Sequence, residues 1–189
     1  MLGWIIFGVV AVLIIAIIAW FIGCYNKLVK QRNRVKNSWS QIDVQLKRRF
    51  DLIPNLVETT KGYAKHESGI FEEFARARNV YAQASEKGNI QGMSEANNML
   101  TATLSKLIAV SEAYPELKAN THFASMMNEL SETEDKIAYA RQFYNDVVMT
   151  YNNMREVFPS SIVANMFAFK EAEFFKADEA SRENVKVQF

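Results

Sequence analysis

The chain has 189 residues, a length that allows one soluble domain beyond any membrane segment, and its net charge is +1. It contains only 3 Pro and 7 Gly, which excludes a turn-rich all-β fold and predicts a mostly helical protein. Because 8 of the 22 basic residues lie between positions 27 and 49, the rest of the chain is mildly acidic, and a nucleic-acid partner is not expected.

The first predicted element is a transmembrane helix. Residues 2–22 carry no charge and are long enough to cross about 30 Å of hydrocarbon. Trp4 at one end, and Trp20 with Tyr25 at the other, are aromatic side chains that favour the two membrane interfaces. No basic side chain precedes this run, whereas a cleaved secretory signal begins with a basic segment. The sequence therefore predicts a single-pass membrane anchor.

A cluster of basic residues follows the anchor, with no acidic residue before Asp43. Basic flanks are retained on the cytoplasmic side, so the soluble part is predicted to be cytoplasmic. The same side chains favour anionic headgroups, which makes the lipid bilayer an expected partner. The juxtamembrane basic residues are Lys27, Lys30, Arg32, Arg34 and Lys36.

The lone cysteine supports an alternative. Residues 21–24 read Phe-Ile-Gly-Cys, which is similar to the segment of bacterial lipoproteins in which an acylated Cys follows a small residue. In that interpretation the protein is an envelope lipoprotein acylated at Cys24, and its helical domain lies outside the cytoplasm. The favoured interpretation is an unmodified thiol at the membrane edge.

Four further amphipathic stretches follow in chain order. Apolar residues spaced by three and four predict one helix over 35–63, with a kink rather than a loop at Pro54 because the register continues across it. A second stretch follows a break near residues 62–69, and a third follows a turn at 87–89. The third ends before Pro115, and the last long helix reaches about Arg155.

After the break at residues 158–161, Ser160 or Ser161 is predicted to cap a short helix. Together these elements predict an all-α fold, in which one N-terminal transmembrane helix is followed by an elongated antiparallel bundle of three or four helices. The predicted organisation is an anchor over 1–24, a helical bundle over 25–170 and a polar tail over 171–189.

Several runs of residues resemble a known family. These are YNKLV at 25–29, WSQIDVQLKRR at 39–49, DLIPNLVE at 51–58, YPELKAN at 114–120 and FPS at 158–160. The chain resembles the LemA family of bacterial membrane proteins along nearly its whole length. This resemblance implies an N-terminal membrane helix, a helical bundle, and no established catalytic activity, cofactor or substrate. It also implies two associations, one with magnetosome membranes and one with membrane proteases of the HtpX kind.

The residues themselves announce no chemistry. Only His66 and His122 could serve a nucleophile as base, and neither stands in a recognisable motif. The Glu-x-x-His pairs of di-iron bundles are absent, and no Gly-rich phosphate loop follows a strand. We therefore expect no catalytic residue, no metal site and no cofactor, and we interpret the chain as a non-enzyme.

Two groups of residues remain as candidate sites. Polar side chains within or beside the helical stripes are expected either to form buried pairs, such as Arg49 or Arg141 with Glu134, or to line a groove for a partner helix. An apolar segment outside the long helices is expected either to cap the bundle or to touch the membrane or a membrane partner. The polar group is Asp43, Arg49, Glu134, Arg141 and Asn145, and the apolar group is Ile162, Val163, Met166, Phe167 and Phe169.

The sequence thus favours a membrane-anchored scaffold or adaptor. Its expected partners are the lipid bilayer and other membrane proteins, a membrane protease among them by family association, or further copies of itself.

Overall fold

The structure is a computed structural model that describes residues 1–63 and 68–176. All regular elements in these residues are helices, which confirms the predicted all-α fold. The helices are α1 (Leu2–Lys61), α2 (Ser68–Glu86), α3 (Ile90–Ala113), α4 (Pro115–Lys118), α5 (Thr121–Glu156) and α6 (Ser160–Met166).

Helix α1 joins the predicted membrane anchor to the first amphipathic stretch without interruption. It continues through Pro54, as the unbroken apolar register indicated. The stripe on its later part is buried at Ile42, Leu46, Ile53 and Leu56, which confirms the predicted spacing.

The predicted turns lie where Gly, Asn and Pro stand in the sequence. Gly88 adopts a φ of +61°, and Asn89 caps α3 by accepting a hydrogen bond from the backbone N–H of Gly92 at 3.0 Å. Tyr114 ends α3, and Pro115 begins the short helix α4, which the sequence analysis missed. The part of the predicted break at residues 64–67 lies outside the described residues, and so does His66.

The predicted serine cap of α6 is wrong. The residue at the N-cap is Pro159, and no side chain caps this helix. The Ser160 hydroxyl instead donates to the backbone carbonyls of Met154 and Val157 at 2.7 and 2.9 Å. This hydroxyl therefore adds a hydrogen bond to carbonyl groups at and just beyond the end of α5, and the Val157 carbonyl also accepts from the backbone N–H of Ser161 at 2.9 Å.

The chain divides into two compact units. Unit 1 comprises Met1–Trp39 and Tyr144–Ala172, and the described part of unit 2 comprises residues 40–63, 68–143 and 173–176. The core of unit 2 joins α1, α2, α3 and α5 through apolar residues such as Phe50, Phe74, Leu100 and Leu130. This packing of amphipathic helices confirms a helical bundle.

Unit 1 has its own apolar cluster, formed by Leu28, Tyr151, Val163, Ala164 and Phe169. The chain after α6 also packs against this unit. The Tyr151 hydroxyl donates to the Lys170 carbonyl at 2.8 Å.

Asn152 exchanges two hydrogen bonds with the backbone of Ala172, at 2.9 and 3.0 Å. The tail predicted over 171–189 stays a prediction as a domain boundary, and its residues 177–189 lie outside the described part of the chain. Its first residues are held against protein, and Phe175 is fully buried in unit 2.

Candidate functional site

Arg49 is the most deeply buried of the predicted polar residues. Its side chain lies on α1 in unit 2 and is only 2% exposed. The guanidinium forms an ion pair with Glu134 of α5 and donates to the side-chain oxygen of Asn97 on α3. One charged side chain thus links three helices of unit 2.

The electrostatics of Arg49 agree with this arrangement. Burial lowers the pKa of its guanidinium, and the Glu134 carboxylate opposes that shift through its charge and its hydrogen bond. Its Nε is buried without a hydrogen-bond partner, so the side chain depends on its other nitrogens for compensation. Glu134 keeps 37% of its side chain exposed, although the carboxylate oxygen that pairs with Arg49 is itself buried.

The other predicted polar residues do not join this cluster. Asp43 and Arg141 are partly exposed, and within residues 1–63 and 68–176 no ion pair links Arg141 to Glu134. Asp43 instead acts on Tyr81, whose pKa is raised to about 12 by burial and then by this carboxylate. Asn145 is also partly exposed and belongs to unit 1. The five residues therefore do not form one site.

A groove in unit 2 is lined by side chains that the sequence analysis did not single out. It is an open, largely apolar groove of about 640 Å³ between α1 and α5. Val44, Tyr139 and Phe143 supply its large apolar surfaces, and all three are exposed. The lining residues are Ser40, Gln41, Val44, Gln45, Lys136, Tyr139, Ala140 and Phe143.

A sequence signal for this groove exists. Tyr139 and Phe143 are four residues apart, and so are Ser40 and Val44, so each pair lies on one helix face away from the core stripe. A second, shorter stripe of this kind on a helix that already buries one face indicates a further contact surface.

The apolar segment at residues 162–169 divides into two sets. Val163 and Phe169 point into the core of unit 1, whereas Ile162, Met166 and Phe167 remain exposed. Burial therefore agrees with the predicted capping role for Val163 and Phe169 but not for the three exposed residues.

Aromatic contacts join this segment to α1. The Phe167 ring lies 4.6 Å from the Tyr25 ring and 5.9 Å from the Phe21 ring, measured between centroids. The Arg32 guanidinium lies over the Phe169 ring at 5.2 Å. The segment therefore packs on the part of α1 at which the apolar run ends.

The basic residues that follow the apolar run are exposed on α1. This holds for Lys27, Lys30, Arg32, Arg34 and Lys36. Arg32 also makes the contact with Phe169 described above.

Residues with metal-binding or nucleophilic chemistry do not converge in the described part of the chain. No group of three or more His, Cys, Asp and Glu side chains that could hold a metal ion occurs there. Cys24 is partly buried in a cleft of about 370 Å³ that is also lined by Trp20, Lys27 and Met154. This cleft belongs to unit 1.

Comparisons with known proteins point to one family. A model of the LemA family matches residues 38–189. Magnetosome protein MamQ 2 of Paramagnetospirillum magneticum is 29% identical over 186 residues, covering 86% of this chain and 68% of that protein. Magnetosome protein MamQ of Magnetospirillum gryphiswaldense is 26% identical over 185 residues, with the same coverage. Protein LemA of Metamycoplasma hominis is 24% identical over 169 residues, covering 87% of this chain and 74% of that protein.

Proposed function

The chain belongs to the LemA family, and from this premise we propose that it is a membrane-anchored scaffold or adaptor that catalyses no reaction of its own. In this proposal residues 2–22 span the inner membrane of a bacterium, the helical bundle is cytoplasmic, and a groove of unit 2 binds a helix of another membrane protein.

The anchor is supported by the first part of α1. This helix contains a segment long and apolar enough to cross a membrane, and none of that segment is buried against protein. The basic residues that follow it support a cytoplasmic bundle, because such flanks are retained on that side.

A non-catalytic role is supported by the relatives. The names "magnetosome protein" and "protein LemA" denote no enzyme activity. A scaffold needs a stable tether and an accessible contact surface rather than a set of reacting side chains.

The observation that carries the proposal is the groove between α1 and α5. Val44 and Tyr139 place large apolar side chains on the surface of unit 2, where they are 62% and 76% exposed. An apolar groove between two helices is a type of surface into which a third helix can lay its apolar face.

Charge narrows the chemistry of the expected helix. Lys136 is the one charged side chain in the groove, and its ammonium group lies 3.6 Å from the exposed carboxylate of Glu132. An acidic residue on the bound helix would compete for this ammonium group. We therefore expect an amphipathic helix with an apolar stripe and a carboxylate beside it.

Photo-cross-linking in intact cells tests the proposal. A benzoylphenylalanine at Tyr139 is compared with one at Ile108, which is exposed on α3 outside the groove. We expect the groove position to capture a defined membrane protein that the control position does not capture.

The captured protein is then purified and its affinity measured directly. We expect Tyr139→Ser to weaken binding about tenfold or more, as at the centre of a docking surface, and Ile108→Ser to leave it unchanged. Equal effects of both substitutions would refute docking in the groove. Capture of only further copies of this chain would replace the adaptor with a self-assembling scaffold.

A further inference from the structure

We propose that the residues directly after α5, together with helix α6 and the residue that follows it, form a patch that is immersed in the boundary between lipid headgroups and acyl chains. The patch consists of Val157, Phe158, Ile162, Met166 and Phe167, all of which are exposed large apolar residues of unit 1. This inference rests on the proposed anchoring of α1 in the membrane. The protein would then contact the bilayer at this patch as well as along the spanning helix.

The depth of the patch follows from its contacts with α1. The uncharged run at residues 2–22 is about 30 Å long at 1.5 Å per residue, so Phe21 lies where the hydrocarbon ends. Phe167 packs against Phe21 and Tyr25, and it therefore lies at the same level. Pro159 and Ser160 line one cleft with Trp20, which brings the other end of the patch to this level as well.

The direction of the side chains in α6 supports immersion. Val163 and Ala164 are fully buried in the core of unit 1. Ile162 and Met166, four residues apart, share the opposite face and remain exposed. This division of one short helix into a protein face and an apolar outer face is typical of helices that lie in the membrane interface.

Charge separates the patch from its surroundings. The stretch from residue 157 to residue 169 contains no charged side chain, whereas Arg155 and Glu156 precede it and Lys170 and Glu171 follow it. Arg155 pairs with Glu156 and Glu171 at 2.9 and 3.1 Å, so the polar groups beside the patch are tied to each other. An uncharged surface at the level of the bilayer edge matches lipid better than water.

Ordinary exposure to water does not account for the apolar side chains of this patch. Five large apolar side chains close together in sequence would expose a contiguous apolar area that soluble surfaces rarely show. Lipid covers this area without any further partner, because α1 already holds it at the membrane.

Depth-dependent fluorescence quenching of the full chain in vesicles tests the inference. In a Cys24→Ser background, single cysteines replace Phe158, Tyr139 or Val12 and carry an environment-sensitive NBD label. Phe158 and Tyr139 are matched, because each is 76% exposed in the structure, and Val12 lies in the middle of the spanning run. The vesicles contain phosphatidylcholine and phosphatidylglycerol, with nitroxide groups either near the headgroup or deep in the acyl chains.

We expect the label at Phe158→Cys to be quenched most by the shallow nitroxide and to be shielded severalfold from aqueous iodide. The label at Tyr139→Cys should be quenched by iodide and not by either lipid. The label at Val12→Cys should be quenched most by the deep nitroxide.

Failure of the two proposals gives different results. If the Val12→Cys label escapes the deep nitroxide, the anchor itself is refuted. If Val12→Cys is quenched by lipid while Phe158→Cys is as open to iodide as Tyr139→Cys, the immersed patch is refuted. Shielding of Phe158→Cys from iodide without quenching by lipid would also refute it, and loss of that shielding on dilution of the protein in lipid would identify a second copy as the cover.

Discussion

Removal of the Glu134 charge should destabilise unit 2 far more than removal of another carboxylate on the same helix. Glu134→Gln keeps the size of the side chain and its ability to accept a hydrogen bond, but it leaves the buried Arg49 charge without a counter-charge. The control is Glu132→Gln, because Glu132 is 69% exposed and lies 3.6 Å from an exposed Lys136.

The expected magnitude follows from burial. Removing one partner of a fully buried ion pair costs about 3–5 kcal/mol. Because 37% of the Glu134 side chain is open to solvent, which partly screens the pair, we expect a loss of about 2 kcal/mol for Glu134→Gln. A change of this size lowers the melting temperature of a chain of this length by roughly 4–8 °C. For Glu132→Gln we expect less than about 0.5 kcal/mol.

Thermal unfolding of the full chain in mild detergent, followed by far-ultraviolet circular dichroism, measures both variants. The substitution Arg49→Leu adds a second readout, because it leaves the Asn97 side chain buried without its donor and should cost about 1–3 kcal/mol. The double variant Arg49→Leu with Glu134→Leu should lose less than the sum of its single changes, since no unpaired charge remains. Equal stability of Glu134→Gln and Glu132→Gln would show that the pair does not hold the helices together. Intact folding of Arg49→Leu with lost partner binding would instead favour a role in docking.

Three further outcomes follow from individual contacts. Asn152→Ala removes two hydrogen bonds to Ala172 and should lower the free energy of unfolding by about 2 kcal/mol. Trypsin should then cut faster at Lys170 and Lys176. The control Asn153→Ala, at an exposed neighbour, should change neither the stability nor the rate of cleavage. The pKa of Tyr81 is raised from 10.0 to about 12, so its contribution to the free energy of unfolding is full below pH 10 and is lost as the pH rises through 12. Tyr81→Phe should reduce this loss of stability at high pH. It should also reduce the tyrosinate absorbance that the protein gains near pH 12. Intact mass spectrometry should find an unmodified Cys24 in a chain that retains the apolar run before it, and a mature chain that begins at an acylated Cys24 would replace the cytoplasmic scaffold with the envelope lipoprotein.

The order of the long helices and most of their ends could be predicted from local signals, whereas the short helix α4 and the cap of α6 could not. The spacing of Ile42, Leu46, Ile53 and Leu56 determines which face of α1 is buried, and this does not depend on which helix covers it. Gly88 and Asn89 mark a turn because their own backbone and side-chain properties favour it. The cap of α6 was missed, because the Ser160 hydroxyl could satisfy carbonyls of the preceding helix as well as amides of the following one.

The candidate surfaces were less accessible to sequence reasoning. Arg49 was singled out as a charge in an apolar stripe, and Glu134 was named as a partner of either Arg49 or Arg141. The two partners of Arg49 are 48 and 85 positions away, and no local pattern selects Asn97 or decides between the two arginines. The groove lined by Tyr139 and Phe143 depends on how far apart α1 and α5 lie. The sequence near these residues does not determine that distance.

The sequence by itself determined the long apolar segment, the helical class and the buried stripes of this protein. The reason is that hydrophobic length and periodicity are properties of neighbouring residues and act before any tertiary contact forms. Only the tertiary structure decided that Val163 and Phe169 are buried in the core while Ile162 and Met166 face outward. It also decided that Arg49, and not Arg141, pairs with Glu134. These choices depend on which helices meet and at what rotation, and packing between distant segments sets both.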